Sequence, residues 1–302
     1  MPIVYQSFEN YIEYSPWVYQ VTGHVLTLGA ACMVAGFVYF LVTASQVSPR
    51  YRSTNYLSAV VMASAALELG LQAFFWEVSF TRNAMTGMFQ LADGQLFSNG
   101  YRYANWSIDV PVLLTQMLVV LGLTGAAFWR NYWQFVVAGL LMIWTGYIGQ
   151  YFEAVPTADG LVQTSGFWIW FVISWIFYIW LLVVLFKVTW KYVDTMPANC
   201  QQLTKGVAVF LLVTWTLYPF AYLCPWFAFN EGSVLARQVL YTVADVTSKV
   251  IYGVLLGRVA VLRSAAEGYI PAMDAQLFEH DYSAQFGARR TVAGDAVATN
   301  RG

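Results

Sequence analysis

The sequence predicts an all-α membrane protein: a bundle of seven transmembrane helices with the N-terminus outside and the C-terminus in the cytoplasm. Three observations carry that prediction. The 302-residue chain is 59% hydrophobic and only 10% charged. Long apolar runs recur seven times, at about 17–45, 54–80, 101–128, 131–153, 165–193, 203–228 and 235–263, each near or above the ~20 residues that cross a bilayer core. The basic residues are distributed unevenly between alternate loops. With the N-terminus outside, Arg50, Arg52, Arg130, Lys187, Lys191, Lys205, Arg258 and Arg263 fall on the cytoplasmic side, as do Arg289, Arg290 and Arg301 of the tail. Only Arg82, Arg102 and Arg237 fall on the other side, the last two just inside helices. This is the positive-inside pattern with an odd number of spans.

No internal repeat or long linker divides the chain, so residues 1–264 read as one transmembrane domain and 265–302 as a polar cytoplasmic tail. The first sixteen residues hold Glu9 and Glu13 but no Lys or Arg, unlike a cleaved signal peptide, and predict a short amphipathic cap over the outer mouth. Cys32, Cys200 and Cys224 are scattered, which implies neither a disulfide framework nor a metal site. The net charge of −1 comes without a basic patch, so no nucleic-acid partner is expected. Lipid is.

In order along the chain, the first helix carries His24 near its start, which reads as a packing or interface histidine rather than a ligand. His280 falls in the tail. The second helix brings Ser64 and Glu68 onto one face, four residues apart. Because this helix runs outward and the third inward, Glu68 should lie near the level of Arg102.

The third helix opens Arg102-Tyr103-Ala104-Asn105-Trp106-Ser107-Ile108-Asp109-Val110-Pro111, with Gln116 following. At the helical period, Arg102, Asn105, Asp109 and Gln116 fall within about 60° of one another. They form a polar stripe about 21 Å long on an otherwise apolar helix. One or two such groups would serve as interhelical glue; four, two of them charged, read as a path. Pro111 predicts a kink with a freed backbone carbonyl.

The seventh helix holds the residue that organises the rest. Lys249 sits near the middle of an apolar run, where a charge costs roughly 2.5–3.5 kcal/mol by insertion scales and suggests function by default. Asp245 lies one turn earlier on the same face. The plain reading of the pair is a structural ion pair. The sharper one is a lysine that carries a covalent Schiff base, with the aspartate in its counterion.

Arg-Tyr-Ala-x-Trp followed by a proline, together with the lysine of the last helix, resembles the microbial rhodopsins. The sixth helix adds Trp215-Thr216-Leu217-Tyr218-Pro219, similar to the aromatic wall of that family's retinal pocket. The resemblance implies all-trans retinal bound as a Schiff base to Lys249 and held by Trp106, Gly146, Trp215, Tyr218, Pro219 and Ser248, with Tyr147 near the ring. It implies ion transport rather than an enzymatic reaction, a multi-pass place in a bacterial inner membrane, and a homo-oligomer, commonly a pentamer.

Within that family, Asn105, Asp109 and Gln116 together resemble the motif of light-driven sodium-pumping rhodopsins. Proton pumps usually place carboxylates where Asn105 and a cytoplasmic donor would lie, and chloride pumps lack the one at Asp109. The implied cycle makes Asp109 counterion and proton acceptor. With the positive barrier gone, a transient sodium ion would pass near Asn105 and Asp109, using the amide oxygen of Asn105 and the Ser64 hydroxyl as hard ligands. Gln116 cannot titrate, so it cannot serve as an internal proton donor. By the same resemblance Asn55, Ser58 and Gly257 line the cytoplasmic intake, Arg102 gates the exit, and Glu9, Glu153 and Arg237 line the outer release region.

Two positions depart from the pattern. Glu68 stands where many relatives have an apolar residue, and is expected to join Asp109 or Arg102 in a hydrogen-bonded network that relays the departing ion or proton. Gln95 stands where some relatives have an aspartate that holds an external sodium between protomers, with Asp93 the substitute nearby. Three rival readings stay open: an outward proton pump, a photosensor, and a seven-helix protein that binds no retinal.

Overall fold

The computed structural model describes residues 7–157 and 160–271. Seven long helices follow one another: α1 (Pro16–Thr43), α2 (Ser53–Ser79), α3 (Gly100–Val120), α4 (Gly125–Gln150), α5 (Ser165–Val193), α6 (Ala198–Trp215, resuming as Leu217–Tyr222) and α7 (Glu231–Asp245, a π turn Val246–Ile251, then Tyr252–Ala266). Each packs on the next, and α7 returns to α1, α2, α3 and α6, closing the bundle.

Six of the seven are long and apolar enough to cross a membrane by length and composition. The exception is α3, whose 21 residues span about 31 Å and are therefore long enough. Its hydropathy is lowered by Arg102, Asn105, Asp109 and Gln116, all of them buried, so the stripe faces protein rather than lipid. Leu28, Val42, Leu67, Val172, Ile176 and Val213 point outward and are exposed, as suits a bundle whose solvent is hydrocarbon. Exposed Trp17, Trp129, Trp133, Trp168, Trp190 and Trp226 cluster toward helix ends, the belt position of amphipathic rings.

Two short hairpins join helices on one face: β1 (Phe80–Arg82) with β2 (Phe89–Leu91), and β3 (Val155–Thr157) with β4 (Gly160–Val162). The N-terminal segment lies over the same face. Tyr14 and Phe89 exchange backbone hydrogen bonds of 2.8 Å each, and a 3₁₀ turn at Phe8–Tyr11 buries Phe8 and Glu9 completely. At the opposite face the α1–α2 connection is tied to the end of α7 by Arg50–Glu267 at 3.1 Å and by the Ser48 amide donating to Ser264 Oγ at 3.0 Å.

Several helix limits differ from the sequence expectation, each for a local reason. The third span was expected to reach 128 and the fourth to start at 131, but α3 stops at Val120 and α4 begins at Gly125. Gly122 and Gly125 take left-handed φ values of 76° and 56°, which end one helix and turn into the next. The apolar Leu121 and Leu123 hide that turn from hydropathy. The sixth helix starts at Ala198, directly after Pro197, and is interrupted at Thr216; Pro219 lacks the N–H that the turn before it needs. The seventh starts at Glu231 because Asn230 caps it, its side chain accepting from the Ser233 amide at 2.9 Å. α3 itself runs unbroken through Pro111, whose carbonyl accepts from Thr115 Oγ1 at 2.7 Å. His24 is exposed on α1. His280, Arg289, Arg290, Arg301 and most of the expected tail lie outside the described residues.

Candidate functional site

α7 supplies the centre. Around Lys249 its backbone is a π turn, with the Tyr252 amide reaching Thr247 O five residues back. Such a bulge often marks a functional site within a helix. Ser248 and Lys249 are buried. Lys249 Nζ donates to Asp245 Oδ1, and Asp109 Oδ2 of α3 lies 3.3 Å away. Two carboxylates from two helices thus flank one buried amine.

Asp245 is held from several sides. Tyr218 Oη donates to its Oδ1 at 2.7 Å and Trp106 Nε1 at 3.3 Å, while Arg102 Nη1 donates to Oδ2 at 2.9 Å. Ser248 Oγ stands 3.2 Å from the Tyr218 hydroxyl. From Arg102 a chain of polar contacts runs to the face covered by the N-terminal segment. Arg102 Nη2 donates to Gln238 Oε1 at 3.0 Å, and Gln238 Nε2 donates to Glu9 Oε1 at 3.0 Å. Arg237 then bridges Glu9 at 3.3 Å and Glu153 at 2.5 Å. Asn99 joins both, donating to Glu9 at 2.8 Å and accepting from Gln238 at 3.1 Å. Burial pushes the Glu153 carboxyl above its usual range, against the pull of Arg237. Arg102 and Arg237 are fully buried and this whole chain is enclosed.

The α2–α3 side is sparser. Asn105 Nδ2 donates to Ser64 Oγ at 2.6 Å, leaving Asn105 Oδ1 without a hydrogen-bond partner among the described residues. Glu68 Oε1 reaches Arg102 Nη1 at 4.0 Å, but neither Glu68 oxygen accepts a hydrogen bond there. Glu68 therefore sits beside Arg102 as expected, by charge and not through a hydrogen-bonded network. Toward the opposite face, both amide atoms of buried Gln116 are likewise unpartnered. Asn55 Oδ1 lies 3.6 Å from where a Cβ on Gly257 would sit, and Ser58 Oγ 3.1 Å from one on Gly253. These residues bring α2 and α7 together at that end.

A cavity of about 100 Å³ opens beside Lys249. It runs between α3, α4, α5 and α6, walled by Trp106, Trp215, Tyr218, Pro219, Phe171, Trp175 and Tyr178, with Gly146 leaving room on α4. Tyr147 is not part of this wall; it packs on the far side of Tyr103 at 5.4 Å between ring centroids. Phe171, Ser174, Trp175, Tyr178 and Tyr241 belong to the lining without having been singled out in the sequence. The α5 run is apolar all round and offers no contrast by which to pick an inner face. Gln238 and Asn99 were also missed, although Gln238 is seven residues before Asp245 and so falls on the face of Asp245. Asp93 and Gln95, with Glu13, line a second cavity of about 520 Å³ by the β1–β2 hairpin.

Fold and site together define a multi-pass helical membrane protein with a buried lysine, paired to two carboxylates, at the end of an aromatic cavity. The chain belongs to the family described as bacteriorhodopsin-like proteins, whose profile matches residues 20–262. It is 22% identical over 245 residues to a green-light absorbing proteorhodopsin of a gamma-proteobacterium, covering 81% of this chain and 88% of that protein. It is 26% identical over 241 residues to bacteriorhodopsin-I of Haloquadratum walsbyi, covering 77% and 84%. Among solved structures, thermophilic rhodopsin superposes with a TM-score of 0.77 at 31% identity, covering 85% of this chain and 99% of that one. Xanthorhodopsin, described as a light-driven ion pump with dual chromophore, gives 0.76 at 29% identity with the same coverages.

Proposed function

We propose that this protein is a light-driven outward sodium pump of a bacterial inner membrane, with all-trans retinal bound to Lys249, the N-terminus outside and the polar tail in the cytoplasm. The observation that carries the reading is the arrangement at one nitrogen. Lys249 ends an aromatic cavity, Asp109 and Asp245 flank its amine, and the Asn105–Ser64 pair lies one turn from Asp109. The cavity fits a long apolar group with one reactive end, since the amine is the only charged nitrogen on its lining and the walls are aromatic. Retinal supplies light absorption and an isomerisation that re-aims the N–H of the bound nitrogen.

The protein's own residues do the rest. Asp109 balances the buried positive charge in the dark and accepts the proton after light. With that charge gone, a sodium ion passes from the Asn55–Ser58–Gly257 side, past Gln116, to the oxygens of Asn105 and Ser64. Asp109 then returns its proton to the Lys249 nitrogen behind the ion. Arg102 swings between Asp245 and the release side, where Glu68, Gln238, Glu9, Glu153 and Arg237 offer oxygen ligands and fixed charge. Asp93 and Glu13 leave room for an external cation beside Gln95. The transporting assembly is a homo-oligomer, a pentamer by family resemblance.

An outward proton pump is the second reading, and the enclosed polar chain from Asp245 to Glu153 favours it, since the same groups could pass protons when sodium is absent. The test is time-resolved absorption of the retinal-loaded protein across a sodium series. The late step that reprotonates Lys249 should accelerate with sodium, and Lys249→Ala should carry no visible band. A cycle indifferent to sodium would favour the proton reading; a visible band surviving in Lys249→Ala would remove the retinal site itself.

A further inference from the structure

The face opposite the N-terminal segment holds a buried arginine that the proposed path does not use. Arg263, in the last turn of α7, is 8% exposed. Its Nη1 donates to the carbonyl of Val120, the last residue of α3, at 2.5 Å. Its guanidinium lies over the Tyr51 ring, 4.7 Å from the centroid. No carboxylate pairs with it among the described residues, and its buried Nε has no partner there. Its counter-charge is the carbonyl end of α3, where a cation is favoured by the helix dipole. Gly122 makes the approach possible: a Cβ there would stand 3.0 Å from Nη1 and 3.2 Å from Nη2.

Beyond Lys249 toward this face, two hydrogen bonds tie α7 to α3, and this contact is the farther of them. The inner one is the Tyr252 hydroxyl, which donates to Leu113 O at 3.0 Å. Tyr252, Leu256, Val259 and Arg263 share one face of α7 at helical spacing, and Leu256 and Val259 between the ties are completely buried. Gln116, its amide unpartnered, lies on α3 between the two anchored carbonyls. On that side of Lys249 the seam between α3 and α7 is therefore closed at its far end by one guanidinium. That guanidinium holds a single backbone oxygen and a ring, with no ion pair to break, so it can let go.

We propose that Arg263 is a positioning residue for ion uptake: capping α3, it keeps the ends of α3 and α7 together, and uptake requires it to leave Val120. The direction of uptake rests on the function proposed above; the latch itself does not.

Arg263→Gln, Arg263→Lys and Tyr51→Leu test it in the full-length, retinal-loaded protein. All three should keep the visible band, because Arg263 lies about 21 Å along the helix from Lys249. Arg263→Gln should lower the half-saturating sodium concentration of the late photocycle step roughly tenfold, as loss of one charge-assisted hydrogen bond allows. Arg263→Lys, which keeps the charge, should restore most of the wild-type value. Unchanged sodium dependence in Arg263→Gln with an intact band would overturn the proposal. Should that variant fail to fold, Tyr51→Leu decides, with a smaller shift in the same direction expected and no shift contradicting the latch.

A second readout does not depend on the ion. Spin labels at Thr124→Cys and Ala266→Cys, both exposed positions, in a background without Cys32, Cys200 and Cys224, should move apart under light in the otherwise wild-type chain. In Arg263→Gln they should already be farther apart in the dark. A distance that light and the substitution both leave unchanged would overturn the latch. A wild-type cycle indifferent to sodium would sink the ion assignment alone.

Discussion

At the scale of single residues, the charges around Lys249 are unequal partners. Asp245 is secured by Arg102, Tyr218, Trp106 and Lys249, a set that fixes its position. Asp109 has fewer ties and faces the Asn105–Ser64 pair, which suits the proton-accepting role proposed for it. Glu68 differs from both, a buried carboxylate 4.0 Å from Arg102 with no hydrogen-bond donor among the described residues. A carboxylate left so bare is costly unless its neighbour's charge is used. Glu68→Leu should therefore change the late photocycle or its pH dependence while keeping the visible band. Flash photolysis across a pH series checks this, and a superimposable cycle would make Glu68 a spectator. The residues of this centre were legible because ionisable groups in apolar runs stand out. Gln238 and Asn99 were not, since an amide beside an arginine or at a helix start is too common to attract notice. The hydrogen bonds that give them meaning join positions 90 or more residues apart.

At the scale of elements, what the sequence carries is the inner face of each helix, and what it loses is where helices stop. The α3 stripe was plain from its spacing, and its burial follows from having nowhere polar to go in a bilayer. The α3–α4 turn was not plain, because Leu121 and Leu123 continue the apolar pattern while glycine conformation makes the break. Gly122→Ala tests that turn. A left-handed φ of 76° costs an L-residue about 1–2 kcal/mol, and the new methyl would press on Arg263. The variant should lose its visible band at a lower temperature than the wild type, and an unchanged melting profile would show that neither strain nor contact matters. The π turn at Lys249 had no sequence signal either, as it depends on how α7 meets α1, α2 and α6. The α5 wall of the cavity was hidden for the opposite reason, being apolar all round.

At the scale of the whole molecule, the two halves of the bundle are built differently. From Lys249 to the face under the N-terminal segment, buried charges and amides form an unbroken polar chain ending at Arg237 and Glu153. Toward the other face Asn55 Oδ1, Ser58 Oγ and the Gln116 amide have no hydrogen-bond partner among the described residues, and the end is held by Arg263 on α3. In the proposed outward pump the continuous side is the exit and the interrupted side the intake, as suits a pump that must never open both ways at once. The energetic demand on the proposed pump is modest: one charge against 100 mV costs ~2.3 kcal/mol, so on that reading selectivity comes from the oxygens near Asp109 rather than from the energy of the photon. The seven-helix plan and the lysine centre followed from composition and spacing. In the proposed pump, which ion passes depends on the dehydration geometry at Asn105 and Ser64 in a transient state, which neither hydropathy nor spacing encodes. The direct measurement is light-driven pH change in suspensions of retinal-loaded cells with a protonophore present, first in sodium chloride and then in potassium chloride. The account predicts alkalinisation of the medium, enhanced by the protonophore, in sodium alone, as protons follow exported sodium inward. Acidification in both salts, abolished by the protonophore, would contradict it and make the protein a proton pump.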